Sequence, residues 1–511
     1  MLMTRTERAV GLVLPTGCGK SLVYVSYALM THQRMVVLTS TRGLQDQLLH
    51  DFAKVGLADL RGQAHYECVE TAPGKSLQQF GKEVTSLYHA PRTMSLTVLD
   101  GPCHSGVPCV AKFGGCPYYD AVYQAQQAPL VVTTYAYWLA HPDPDHFGVV
   151  DVLCLDEAHH APDELSHALA LTLHETDLRR VDVPWPHAHG TDWAGWADDA
   201  QLVIREALKQ VLPPVTKADL TRAQALTRLL STVTALGKMD SHWVIEAART
   251  PKGRVLTAIP VSPAAWAESH LLRGTPKVLL TSATLTQKTV ALLGLEAQTV
   301  LWSADHRVPV AQRPVIHVPT VRMRHDMPQA EKFQWVSRID QIIGPRIDRK
   351  GIIHTVSYNR RDLVLANSAY RTIMLTHDGT RELADVVKVF KKMDPPAILV
   401  SPSLITGYDF PYDTCRYQII GKIPVPDPRN ALMVARSSAD PDYPWHLALQ
   451  AMIQAVGRGV RAQDDWCETF VIDDLVVWMM RRYRHLIPAW FLLSYGDSSI
   501  IPSPFQSSTG R

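Results

Sequence analysis

Leu14-Pro15-Thr16-Gly17-Cys18-Gly19-Lys20-Ser21 is the stretch on which the fold turns. The apolar run Ala9 to Leu14 leads into it, and a helical pattern through Leu29 leads out. A strand, a glycine turn and a helix start, in that order, have the chemistry of a phosphate cradle. Glycines let the backbone approach closely, and the first N–H groups of the helix point at the anion. Thr16, Gly17, Cys18 and Gly19 would line the cradle, Lys20 would reach the β- and γ-phosphates of a nucleotide, and the Ser21 hydroxyl would hold Mg²⁺. Leu14 stands where the longer GxxxxGK[ST] pattern has its first glycine, so a plain glycine turn is the competing reading of this stretch alone.

Two further motifs change that balance. Asp156-Glu157-Ala158-His159 follows the apolar run Val149 to Leu155, which puts its carboxylates at the C-terminal end of a strand, where open parallel sheets bind ligands. Asp156 can hold Mg²⁺ through water, and Glu157 can polarise an attacking water. Gln454-Ala455-Val456-Gly457-Arg458-Gly459-Val460-Arg461 lies far downstream. On a helix, Gln454, Arg458 and Arg461 would share a face, and two guanidiniums facing a γ-phosphate would stabilise transition-state charge. Taken singly, these two are an acidic helix start and a basic surface helix; together with the glycine turn they predict a nucleotide site.

Around these motifs, strands and helices alternate. Met35 to Thr39, a helix from Gly43 to Phe52, and Val278 to Thr281 join the first sheet. A similar pattern restarts after about Val315, with apolar runs at Gly351 to Ile353, Ile373 to Leu375, Ala397 to Val400, Tyr417 to Ile420 and Thr469 to Ile472. Alternation of this kind implies parallel sheets covered on both faces. Two long stretches interrupt the first sheet, at about 61–124 and 162–275, and both are too long for unstructured connections, so each reads as an inserted domain. The second reads as mainly helical, with Trp185, Trp193 and Trp196 expected in its packing. Residues 494–511, rich in Ser, Pro and Gly, read as a loose tail.

A chain of 511 residues is long enough for three or four domains. Its formal net charge of +2 is nearly balanced, so a nucleic-acid partner would need local basic patches. No apolar stretch of membrane-spanning length appears, and Met1 to Val10 lacks the apolar centre of a signal peptide, so a cytoplasmic protein is expected. Of eight cysteines, four cluster as C-x34-C-x5-C-x6-C: Cys68, Cys103, Cys109 and Cys116. Four thiolates can hold Zn²⁺ or a [4Fe–4S] cluster. The absence of a C-x₂₋₄-C knuckle favours iron–sulfur, as does Cys116-Pro117, similar to the ending of ferredoxin ligand runs; zinc and incidental thiols stay open on spacing alone.

The order of these motifs resembles superfamily 2 helicases, and within them the DinG/XPD family of iron–sulfur helicases. Thr39 to Gln47 looks like motif Ia, Val131 to Tyr135 like the strand after the cluster domain, and Thr281 to Leu285 like motif III. His354 to Tyr358 looks like motif IV, Thr406 to Pro411 like motif V, and Gly421 to Pro426 like the strand exit that follows it. Leu60 to Cys68 is similar to the entry of the family's four-cysteine domain. The resemblance spans roughly residues 9 to 475.

It implies two RecA-like parallel-sheet domains (1–60, 125–161 and 276–315 for the first, 316–493 for the second), a cluster domain at 61–124 and a helical arch at 162–275. Asp409 is implied at the ATP site or its coupling path. Gln47, Thr134, His159, Ser282, Thr284 and Ser357 are implied at the DNA groove or in coupling. ATP, Mg²⁺ and a [4Fe–4S] cluster on the four cysteines are the implied cofactors. A monomeric motor moving 5′→3′ on single-stranded DNA, at forks and 5′-overhang duplexes, is the implied activity, with RNA as the alternative strand. The rivals are an ATPase of the same fold that remodels nucleic acid without separating strands, alone or within a larger complex, and an inactive scaffold; intact Lys20, Asp156, Glu157, Arg458 and Arg461 argue against the scaffold.

Overall fold

β1 (Ala9–Val13) has all five residues buried because it runs inside a sheet covered on both sides. Its side chains alternate: Val10 and Leu12 pack with Tyr24, Val25 and Ala28 of the helix Lys20–Thr31, while Ala9 and Val13 face Leu285, Val290 and Leu293. Fully burying a Val or Leu side chain contributes roughly 1.5–3 kcal/mol, so runs like this one fix which strands are central. The computed structural model describes residues 7–69, 97–101, 103, 109–187, 191–212, 217–378, 381–403 and 408–506.

In chain order the first sheet continues with β2 (Met35–Thr39), β3 (Ala58–Asp59), β4 (Leu130–Thr134) and β5 (Val152–Asp156). The chain then leaves for three antiparallel strands, β6 (Leu171–His174), β7 (Trp243–Thr250) and β8 (Gly253–Pro260), and returns with β9 (Lys277–Ser282) and β10 (Thr299–Ser303). The first sheet is all parallel, in the order β10-β1-β9-β5-β2-β4-β3. Its register matters for the site: Val13 lies opposite Ser282, and Asp156 opposite Thr281, so three strands end level at one rim.

Between residues 162 and 275 helix predominates, chiefly Trp193–Lys209 and Lys217–Leu236, around a core that includes Leu173, Ile204, Val233 and Leu256. Trp185, Trp193 and Trp196 pack against that core, with Trp193 and Trp196 edge to face at 5.8 Å. The sheet β6-β8-β7 is an addition that apolar patterning did not reveal. β7 has no buried residue and carries Glu246 and Arg249, so it lacks the apolar run that would mark a strand.

The second parallel sheet holds β11 (Val315–Val321), β12 (Lys350–His354), β13 (Met374–Leu375), β14 (Ala397–Ser401), β15 (Tyr417–Ile420), β16 (Glu468–Asp473) and β17 (Tyr495–Asp497), in the order β13-β14-β12-β15-β16-β11-β17. β17 corrects the reading of residues 494–511 as a loose tail. It pairs with β11, and beyond it the carbonyls of Pro502 and Phe505 accept from Arg346 and Arg349. Backbone pairing and two cationic donors hold a segment whose composition alone suggests none. Residues 507–511 lie outside the described residues.

Candidate active site

The glycine turn is built for an anion. Gly17 (φ 75°) and Gly19 (φ 76°) are left-handed, a conformation that costs other residues roughly 1–2 kcal/mol. Gly19 caps the helix Lys20–Thr31 with no side-chain hydrogen bond, so no side chain occupies the first-turn N–H groups from the cap position. Lys20 Nζ donates to Glu157 Oε1 at 2.7 Å, with both side chains largely buried. Glu157 is itself left-handed (φ 47°), an arrangement for a non-glycine residue that clusters at functional sites.

Electrostatics separate the two neighbouring carboxylates. Burial and then the adjacent Glu157 charge push the Asp156 carboxyl above its usual range, while the Thr281 hydroxyl donates to its Oδ1 at 2.9 Å. Burial would raise Glu157 too, but the charge and hydrogen bond of Lys20, with the charge of Arg458, more than offset it and hold it well below. Burial and the neighbouring His160 keep His159 from protonating. Its Nδ1 lies 2.8 Å from Ser282 Oγ and 3.4 Å from Glu157 Oε2.

From His159 a polar chain crosses to the second sheet's domain. Ser282 Oγ lies 3.4 Å from Thr284 Oγ1 and accepts from Thr284 N at 3.1 Å. Gln454 Nε2 donates to Thr284 Oγ1 at 3.2 Å, and Gln450 Nε2 to the Thr284 carbonyl at 3.0 Å. Gln450 was missed by sequence reasoning. A buried glutamine one turn before Gln454 carries no signal of its own until Thr284 is placed opposite it.

Arg458 and Arg461 correct an expectation. Their helix, Tyr443–Val456, ends before them, so they do not share a helical face with Gln454. The stretch after the helix is closely packed: a Cβ on Gly457 would sit 2.6 Å from Thr16, and one on Gly459 2.5 Å from Cys467 Sγ. The chain passes these contacts only as a glycine-containing loop, which Asp465 fastens by accepting from Arg461 N at 3.1 Å. Both guanidiniums still converge, on Asp409: Arg458 Nη1 at 3.4 Å, and Arg461 Nη2 in a closer pair. A Cβ on Gly17 would meet the Arg461 backbone at 3.2 Å, so the phosphate loop and the arginine loop are in direct contact.

The residues implied at the DNA groove are not gathered here. Gln47 is exposed, with its amide 3.5 Å from Asp51; it is Gln45 that turns inward, to Asp59 and to the Leu60 and Val132 carbonyls. Thr134 and Ser357 cap helices, accepting from Tyr137 N and Arg360 N. Thr406 and Gly407 lie outside the described residues.

None of the four clustered cysteines is joined in a disulfide. Cys68 and Cys116 are buried, Cys103 and Cys109 partly so, and all four pack against the same apolar cluster as Val98, Ala111 and Tyr118. Cys116 precedes the helix Pro117–Gln127, and burial pushes the hydroxyls of its Tyr118 and Tyr119 above their usual range. A Cβ on Gly101 would lie 2.7 Å from Cys68 Sγ, so glycine is what fits there. Among the described residues, no three His, Cys, Asp or Glu side chains stand close enough to hold a metal ion. All four border the apolar core of the first sheet's domain, and cysteine thiolates are the donors that hold iron–sulfur groups.

Comparison with known proteins agrees with this arrangement. The family model described as "Helicase C-terminal domain" matches residues 347–492, and the one described as "Type III restriction enzyme, res subunit" matches residues 2–176. The two models fall on the two parallel-sheet domains, as the resemblance to superfamily 2 helicases of the XPD/DinG type implies. Its fold is similar to a solved XPD helicase (TM-score 0.58, 14% identity, 96% of each chain covered). A second, apo XPD structure gives a TM-score of 0.55 at 14% identity, covering 93% of this chain and 95% of that one. Xpd4 of S. tokodaii gives 0.58 at 12% identity, covering 96% of each chain. No curated protein sequence matches this helicase significantly. Among its described residues, no helix is long and apolar enough to cross a membrane.

Proposed function

We propose that this helicase is an ATP-dependent motor that moves 5′→3′ along single-stranded DNA and separates the duplex ahead of it. The observation that carries this reading is the convergence of Lys20, Glu157, Arg458 and Arg461 where the two sheets' domains touch. Lys20 and the free N–H groups of its helix bind the β- and γ-phosphates; Ser21 and Asp156 hold Mg²⁺. Glu157 orients the attacking water and accepts its proton. Arg458 and Arg461 leave Asp409 to face the charge that develops on the γ-phosphoryl group. Lys20 pairs with Glu157 and both arginines with Asp409, so a bound triphosphate would compete with these carboxylates for the same cations.

His159, Ser282, Thr284 and Gln454 give hydrolysis a mechanical output, because their polar chain joins the acidic box to the second domain. Gln47, Thr134 and Ser357 are assigned to the strand-binding groove on family resemblance. Cys68, Cys103, Cys109 and Cys116 would hold a [4Fe–4S] cluster that makes residues 61–124 a rigid wedge, with residues 162–275 as the arch beside it. The cluster's contribution is to fix that small domain. DNA forks and 5′-overhang duplexes are the substrates, for a monomeric motor.

The test is ATP turnover by anaerobically purified protein, with and without single-stranded DNA or RNA, beside unwinding of 5′- and 3′-overhang duplexes. DNA-stimulated turnover with opening of the 5′-overhang substrate supports the proposal. Turnover indifferent to DNA, or stimulated only by RNA, overturns it.

A further inference from the structure

Arg436 stands on the helix Ala431–Ala439, in the stretch of the second domain between β15 and β16, yet it bonds mainly outside that domain. Its Nη1 donates to Asp163 Oδ1, its Nη2 to Ser166 Oγ and its Nε to the Val261 carbonyl, each at 2.8 Å. Within its own domain Nη1 also donates to the Tyr443 hydroxyl at 2.8 Å. The residue is 5% exposed.

The partners occupy consequential places. Asp163 and Ser166 belong to the helix Ala161–Leu169, which starts two residues after His159. Val261 follows β8, where the chain leaves the inserted domain. Tyr443 opens the helix that carries Gln450 and Gln454 and runs into the Arg458–Arg461 loop. One guanidinium therefore touches the element behind the acidic box, the exit of the insert and the far end of the arginine-bearing helix. Nearby, Ala431 N donates to Glu246 Oε1 on β7 at 3.0 Å, and Lys288 pairs with Asp440.

A guanidinium presents its donors in a fixed fork, so four simultaneous contacts define its position tightly. Stripping a buried charge of its partners is strongly unfavourable, whereas exposed ion pairs open easily. Among the described contacts joining the second domain to the insert, this buried fork is harder to open than an exposed ion pair.

We propose that Arg436 is the pivot of the motor: the second domain turns about it during the nucleotide cycle and through it carries the inserted domain. This rests on the helicase function proposed above. Arg436 is a positioning residue, remote from the nucleotide. Movement of the arginine loop passes along the helix Tyr443–Val456 to Tyr443, and from there through Arg436 to the insert.

The test compares wild type with Arg436→Met, which keeps the apolar stem, and Arg436→Lys, which keeps a charge. Base pairs opened per ATP hydrolysed are measured beside hydrogen exchange of β7, β8 and the helix Ala161–Leu169, with and without ATP and Mg²⁺. In Arg436→Met, DNA-stimulated hydrolysis should persist while base pairs opened per ATP fall roughly tenfold, within the usual range of inter-site coupling. Arg436→Lys should be intermediate, and the nucleotide-dependent change in exchange over β7 and β8 should vanish in the Met variant. An unchanged ratio, or an exchange response identical to wild type, overturns the pivot. If Arg436→Met does not fold, Asp163→Asn with Ser166→Ala removes two partners and should shift both readouts the same way. Should wild type open no duplex at all, the proposed function fails first, and the exchange comparison still decides the pivot.

Discussion

Lys20 and Glu157 are 137 positions apart in sequence, yet the ammonium of one donates to the carboxylate of the other at 2.7 Å. β1 and β5 are separated in the sheet only by β9, and all three end at one rim. The pair ties the glycine turn, proposed to hold phosphate, to the acidic box, proposed to orient water.

Lys20→Ala should therefore remove hydrolysis. Turnover is expected to fall at least about 100-fold, since one preorganised charge at a phosphoryl group is worth that much. Far-ultraviolet circular dichroism should stay native, because the strands around the site are held by apolar burial. Turnover near wild type would displace the site from this turn.

Glu157→Gln keeps shape and hydrogen-bonding capacity while losing the proton acceptor. ATP binding, read by fluorescence of a labelled analogue, should be retained or tightened, while kcat falls by roughly 10²–10⁴-fold. Equal losses in binding and turnover would make Glu157 a structural partner of Lys20 instead.

Arg458→Ala and Arg461→Ala should each lower kcat more than they raise KM, because an arginine that meets charge only in the transition state acts on the chemical step. A rise in KM with kcat preserved would assign that arginine to ground-state binding.

Cys109→Ser tests the four-thiol patch. Protein purified without oxygen should lose broad visible absorbance and bound iron, and unwinding should fall more than ATP turnover. Identical spectra and iron content in wild type and variant would leave these cysteines as ordinary thiols.

Arg346 and Glu468 form a buried bidentate pair, 0% and 2% exposed, with both contacts at 2.8 Å. Removing one partner strands a charge, so Arg346→Met should destabilise the second sheet by about 3–5 kcal/mol in urea unfolding. Replacing both, Arg346→Met with Glu468→Leu, should recover much of that loss. A single variant as stable as wild type would show the pair to be dispensable.

The sequence by itself determined the elements and the chemistry. Runs such as Met35 to Thr39 and Tyr417 to Ile420 appear as strands at those bounds, because a strand buried on both faces is apolar throughout. The glycine turn, the acidic box and the arginines announced a nucleotide site, because phosphate chemistry accepts few residue types. Tertiary structure decided what depends on contacts between distant segments. β7 is polar because it is exposed, β17 is held by β11 rather than by its own composition, and Gly457 lacks a side chain because Thr16 leaves no room for one. Asp409 as the shared partner of both arginines, Gln450 at Thr284, and Arg436 between two domains were equally hidden. In each, a side chain finds its meaning in a partner more than 45 residues away, and local sequence carries no record of a partner that far along the chain.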